Sequence, residues 1–124
     1  MKRASLLIVA ALAAGCASTG PPASPALVAE TEAAVRRAEA AGASERAADL
    51  LAKARNAWDE GRLASSRGEG TMATRRLEEA REYAEAAEAK ANAERMRSEA
   101  ATLKQQADEL DAKTRLMREQ SRTP

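Results

Sequence analysis

From Thr71 to Thr123 the chain contains neither glycine nor proline. Alanine, glutamate, arginine, lysine and leucine, the residues with the highest intrinsic helix propensity, fill most of that run. A helix of about 50 residues rises about 75 Å. No element elsewhere in a chain of 124 residues is long enough to cover it. The fold must therefore pack part of one long helix and leave the rest outside. The expected class is all-α.

Composition limits the kind of core. The chain has one Trp (Trp58), one Tyr (Tyr83), and no Phe or His. Alanine supplies most of the apolar fraction, and each alanine buries little area, so the core is expected to be thin, with helices packed at close range. A deep pocket is not expected.

Two further helices are legible upstream. Ser24 can N-cap a helix whose first position is Pro25, where a missing N–H costs nothing. Leu27, Thr31, Ala34, Val35, Ala38 and Ala41 recur on one side of it, and Gly42 suits its C-terminal cap. A second helix is expected from an N-cap at Ser44. Its stripe is Ala47, Leu50, Leu51, Ala54, Ala57, Trp58 and Gly61, continuing to Ala64. Gly61 costs about 1 kcal/mol relative to Ala within a helix and signals a close crossing, a kink or an early end. Arg67-Gly68-Glu69-Gly70 is the strongest turn signal in the chain, and Thr71 is the expected cap of the long third helix.

The third helix changes phase. Its early stripe is Leu77, Ala80, Ala84, Ala87 and Ala91. Its later one is Ala89, Ala93, Met96, Ala100, Leu103, Ala107, Leu110, Thr114 and Met117, a heptad seam. A second helix of about 24 residues reaches about 36 Å and covers only the first half. The expected architecture is a helical hairpin with an additional N-terminal helix and a long C-terminal helix projecting as a coiled-coil-like stalk. Met96, Leu103, Leu110 and Met117 form the candidate interaction stripe. Pairs at i, i+4 (Arg75 with Glu79, Arg81 with Glu85, Glu109 with Lys113, Asp111 with Arg115, Arg115 with Glu119) lace the polar side. Trp58 is expected to pack over Leu77, Ala80 and Ala84 as core rather than to stack on a ligand.

The N-terminus carries a different signal. Lys2 and Arg3 precede the uncharged run from Ala4 to Ala14, with Leu6, Leu7, Ile8, Val9 and Leu12 as its apolar centre, the anatomy of a secretory signal. At about 11 residues the run is well short of the roughly 20 needed to span a bilayer as a helix. Ala13, Ala14 and Gly15 then lead into Cys16, the one cysteine. This order resembles the lipobox of bacterial lipoproteins, with Ala13 where that family most often has Leu. The resemblance implies cleavage between Gly15 and Cys16 and a diacylglycerol on Cys16. Ala17, in place of an Asp that would retain the protein at the inner membrane, implies the periplasmic face of an outer membrane. Loss of Lys2 and Arg3 takes the net charge from +1 to about −1. Nucleic acid is not an expected partner.

The expected organisation is a lipoprotein signal peptide at 1–15, a lipidated Cys and flexible tether at 16–24, an alanine-rich helical domain at 25–95, and a helical stalk extension at 96–124. Residues 25–95 resemble an alanine-rich envelope-lipoprotein domain, domain of unknown function 4398. The resemblance rests on the run from Ala33 to Ala43 (AAVRRAEAAGA), Leu50-Leu51-Ala52-Lys53-Ala54, the Arg67-Gly68-Glu69 turn, and Ala80 through Lys90. Similar domains sometimes precede a peptidoglycan-binding domain, which is not expected within this chain. Covalent attachment to peptidoglycan in the manner of murein lipoprotein is not expected either, because that family ends in Lys and this chain in Ser121-Arg122-Thr123-Pro124.

Catalytic chemistry finds little to work with. No His-based triad or zinc set can be assembled without His. Glu78, Glu79, Glu82 and Glu85 interleave with Arg75, Arg76 and Arg81, as in a solvated ion-paired face. Ser65 and Ser66 lack a neighbouring base. The expected function is non-catalytic, with no catalytic residue, no metal and no cofactor beyond the covalent lipid on Cys16. The expected role is a structural or adaptor lipoprotein held by its lipid at the membrane, pairing with another copy or an envelope protein. The alternative is a peptidoglycan- or small-ligand-binding lipoprotein.

Overall fold

The computed structural model describes residues 20–122, so the leader, Cys16 and the cleavage site lie outside the described residues. Four helices follow in order: α1 (Pro25–Ala40), α2 (Ala43–Arg46), α3 (Ala48–Ser66) and α4 (Gly70–Gln120). No strand occurs among the described residues, and the class is all-α.

The first helix begins as its sequence dictates. The Ser24 hydroxyl accepts from the Leu27 N–H at 3.1 Å, with Pro25 in the first turn. It ends where Gly42 takes φ +80°, a left-handed conformation that a side chain would strain. The next segment departs from the sequence expectation. Ser44 caps nothing; it sits inside the four-residue α2, and the chain breaks at Ala47 (φ −147°, ψ 38°) before α3 starts. The break lets Ala43 and Ala47 both reach full burial against the core.

Helix direction follows from the ion pairs. Arg37–Glu88 and Arg81–Glu30 join α1 to α4 at the same sequence offset, so these helices run parallel. Glu60–Arg76 and Asp49–Lys90 join α3 to α4 with opposite sense, so these run antiparallel. Gly68 takes φ +74° in the connection between α3 and α4. The helix then starts at Gly70, one residue before the expected Thr71 cap, and no side chain caps it. A Cβ on Gly70 would collide with the carbonyl oxygens of Gly20 and Pro21. Gly20 and Pro21 thus lie against the start of α4.

The buried apolar residues are alanines, save Leu51 and Leu77. Gly61 is buried at the α3–α4 crossing, where a Cβ would stand 3.0 Å from Leu77 Cγ and 3.3 Å from the Leu77 backbone nitrogen. Of the sequence readings for this glycine, a close crossing is the one found. Thr31, fully buried, directs its hydroxyl to the Leu27 carbonyl oxygen at 2.8 Å within α1 and to the Leu77 carbonyl oxygen at 3.2 Å on α4. Trp58 is only half-buried. It shares a side of α3 with Arg55, which pairs with Glu39 of α1.

Candidate functional site

Burial along α4 stops abruptly. Gly70, Ala73, Leu77, Ala80, Ala84, Ala87 and Ala91 are buried, and no later residue of the helix is. Ala91 is also where the partners end, since Lys90 is held by Asp49 at the start of α3. Beyond it the helix continues to Gln120.

All four residues of the candidate interaction stripe lie on this second half. Met96, Leu103 and Leu110 are each 65 % exposed and Met117 is 53 % exposed. Ala86, Ala89 and Ala93 extend the seam backward and are exposed while their neighbours Ala84, Ala87 and Ala91 are buried. At 100° per residue, residues 86, 89 and 93 fall on the side of α4 away from α1 and α3. The seam therefore starts on the back of the long helix and is not a continuation of the covered face. Leu116, 60 % exposed, lies next to Met117 and was not singled out from the heptad pattern, because it falls one step off the seam.

Ion pairs dress the flanks. Lys104–Asp108 (2.9 Å), Arg97–Glu94 (2.7 Å) and Arg95–Glu99 (3.4 Å) are intrahelical and solvent-exposed. Each such pair contributes only about 0.2–0.5 kcal/mol. Arg81–Glu85 forms as its spacing predicts, at 4.0 Å. Glu79, expected to pair with Arg75, instead takes Arg76 at 2.7 Å, and Arg76 also reaches Glu60 on α3 at 3.0 Å. Those two carboxylates push the Arg76 pKa up, with the Glu79 hydrogen bond the larger cause. The Lys90 ammonium, through its hydrogen bond, holds the Asp49 carboxyl below the ordinary aspartate range.

The acidic run expected as an ion-paired face is partly neutralised in this way, and the Ser66 hydroxyl donates to the Leu63 carbonyl oxygen. Tyr83 lies under the Lys53 ammonium, 5.7 Å from the ring centre. The grooves between α3 and α4 are shallow and bordered by these charged side chains, with Lys53, Asn56, Glu60, Arg76, Glu79 and Tyr83 around one of them. Among the described residues no group of three or more His, Cys, Asp or Glu side chains is placed to hold a metal ion. Among the same residues no helix is long and apolar enough to cross a membrane.

No protein-family model, no curated protein and no solved structure matches this chain.

Proposed function

We propose that this is a non-catalytic, lipid-anchored protein of the cell envelope that works as a structural or adaptor module through helix–helix contact. In this reading α3 and α4 form a hairpin with α1 alongside, and residues 96–124 are a coiled-coil-like stalk. The observation that carries it is the divided long helix: its covered face ends at Ala91, and Met96, Leu103, Leu110 and Met117 beyond it stand exposed. Fully enclosing a Leu or Met side chain is worth about 1.5–3 kcal/mol, so a regular row of them left in water favours association. Membrane attachment rests on Lys2-Arg3, the apolar run and Gly15-Cys16.

Three measurements test the proposal. Mass spectrometry of the membrane-extracted protein should find an acylated Cys16 at the N-terminus, and Cys16→Ser should abolish the acylation. A photo-crosslinking residue at Leu103 should capture a discrete protein in cells, and one on the opposite side at Ser98 should not. A chain recovered on purified peptidoglycan as efficiently with Leu103→Glu and Leu110→Glu as without them would move the function to the helical body and favour the peptidoglycan-binding alternative.

A further inference from the structure

The open seam has an internal arrangement that selects its occupant. From Ala93 to Met117 its positions alternate in size: Ala93, Ala100, Ala107 and Thr114 at one heptad position, and Met96, Leu103, Leu110 and Met117 at the other. In a parallel two-stranded coiled coil like positions face each other. Alanine layers would then leave voids between crowded leucine and methionine layers, the reverse of the β-branched filling that parallel dimers use. In an antiparallel pair each small position faces a large one, and every layer has nearly the same volume.

We propose that the stalk pairs antiparallel with the stalk of a second copy, with Ala93 level with Met117 of the second copy and Ala100 level with its Leu110. This rests on the reading of residues 96–124 as the interaction segment and names its partner. The register covers the seam from Ala93 to Met117, and its two-fold axis passes beside Gln105. The flanking charges agree with it. Glu99 falls beside Lys113 of the second copy, and Arg97 beside its Asp111, each occurring twice by symmetry. One like-charged meeting occurs on the axis, Lys104 with its own counterpart, and there the ammonium already has Asp108 at 2.9 Å. At the margin Arg118 approaches Lys90 of the second copy, which Asp49 already holds. Sliding one heptad toward the N-terminus sets Arg97 against Lys104 in both copies. Sliding the other way leaves Met96 facing the end of the partner helix. In a parallel pair Lys113 would face Arg118.

Geometry at the membrane follows. Gly70 marks the end of α4 against which Gly20 and Pro21 pack. In the antiparallel pair the two Gly70 ends stand about 105 Å apart, against side by side in a parallel pair about 75 Å long. Two lipid-anchored copies joined this way lie as one strut with an anchor at each end.

The test uses the unlipidated full chain in sedimentation equilibrium. The antiparallel pair predicts reversible dimerisation that Lys113→Glu weakens roughly tenfold, Glu99→Lys weakens comparably, and the double change restores. A parallel pair predicts that Lys113→Glu tightens association, because it relieves the contact with Arg118, and that outcome overturns the proposal. Small-angle scattering gives an independent reading, with a dimer of at least about 105 Å expected and one near 75 Å refuting it. A chain that stays monomeric at millimolar concentration also overturns self-pairing. Capture of a different protein by the Leu103 crosslinker in cells would still stand in that case, so the two readings fail separately.

Discussion

Gly61 sets the separation of α3 and α4, and replacing it with alanine opposes two effects of known size. Alanine in a helix interior is favoured over glycine by about 1 kcal/mol. Against that gain, the new Cβ would lie 3.0 Å from both Leu77 Cγ and Cδ2 and 3.3 Å from the Leu77 backbone nitrogen. The side-chain atoms could yield if Leu77 had room to turn, but it is 1 % exposed and enclosed by the core. The backbone nitrogen belongs to α4 and yields only if the helices part. Overpacking of this kind costs about 1–3 kcal/mol, so Gly61→Ala should destabilise the chain by about 1 kcal/mol net of the propensity gain. Urea unfolding followed by far-ultraviolet circular dichroism, at one protein concentration, measures it. The companion variant Leu77→Ala should cost about 2–5 kcal/mol alone. In that background Gly61→Ala should become stabilising, because the new methyl group enters the vacated space. The coupling between the two changes is then about 2 kcal/mol in the favourable direction. A Gly61→Ala chain that gains the full propensity term beside intact Leu77 would show that the crossing is looser than described and refute the argument.

Trp58→Ala should cost about 1–2 kcal/mol, less than the roughly 3–5 kcal/mol of an enclosed ring, because the residue is only half-buried; circular dichroism in urea measures it, and a loss near 5 kcal/mol would place the ring in the core. Thr31→Val keeps the shape and removes a hydroxyl whose acceptors both sit inside helices, so a loss of about 0.5–1.5 kcal/mol is expected by the same assay, and one above about 3 kcal/mol would contradict it. The Asp49 carboxyl is held below its ordinary value in the folded chain, so its contribution to stability is fully present above about pH 4 and is lost as pH falls through the folded pKa. Lys90→Gln should raise the Asp49 titration midpoint seen by nuclear magnetic resonance, and an unmoved midpoint would mean that Lys90 is not the cause.

Helix existence and class were legible because they depend on local chemistry. Ser24 and Pro25 at the start of α1, the left-handed Gly42 and Gly68, and the glycine-free run of α4 each act through backbone preference, which sequence records directly. The phase change in α4 was legible for the same reason, since a seam of heptad spacing and a stripe on the other face differ in period and angle. What escaped notice depends on distant partners. Ala47 breaks the chain between α2 and α3, yet nothing in the Ala-Ala-Asp context marks a break; the cause is that Ala43 and Ala47 dock together in the core. Gly70 reads as a turn residue, but its lack of a side chain is also required by the Gly20 and Pro21 carbonyl oxygens. In an alanine-rich chain many helix faces are nearly equivalent by hydrophobicity, so the choice among them falls to small differences in shape and ion pairing.

The boundary at Ala91 should also divide the long helix dynamically. Residues 73 to 91 of α4 are packed against α1 and α3, so their amides should exchange only through opening of the whole body. Past Ala91 no described residue of the helix is buried, and the helix persists because it grows from a turn that is already formed, which removes the nucleation cost. Each further residue then adds little, and exposed pairs such as Arg95–Glu99 and Lys104–Asp108 add about 0.2–0.5 kcal/mol apiece. Opening from the free end therefore costs less the closer a residue lies to Gln120. In dilute, monomeric protein, amide hydrogen exchange should show high, nearly uniform protection across residues 77 to 91 and a decline from residue 93 onward. Raising the protein concentration should restore protection over residues 93 to 117 without changing it over 77 to 91. Leu103→Glu with Leu110→Glu should cancel the concentration dependence and leave the packed half untouched. Uniform protection on both sides of Ala91 in the monomer would mean that the outer half of α4 is covered by its own chain, and the division of this helix into a packed half and an open half would have to be abandoned.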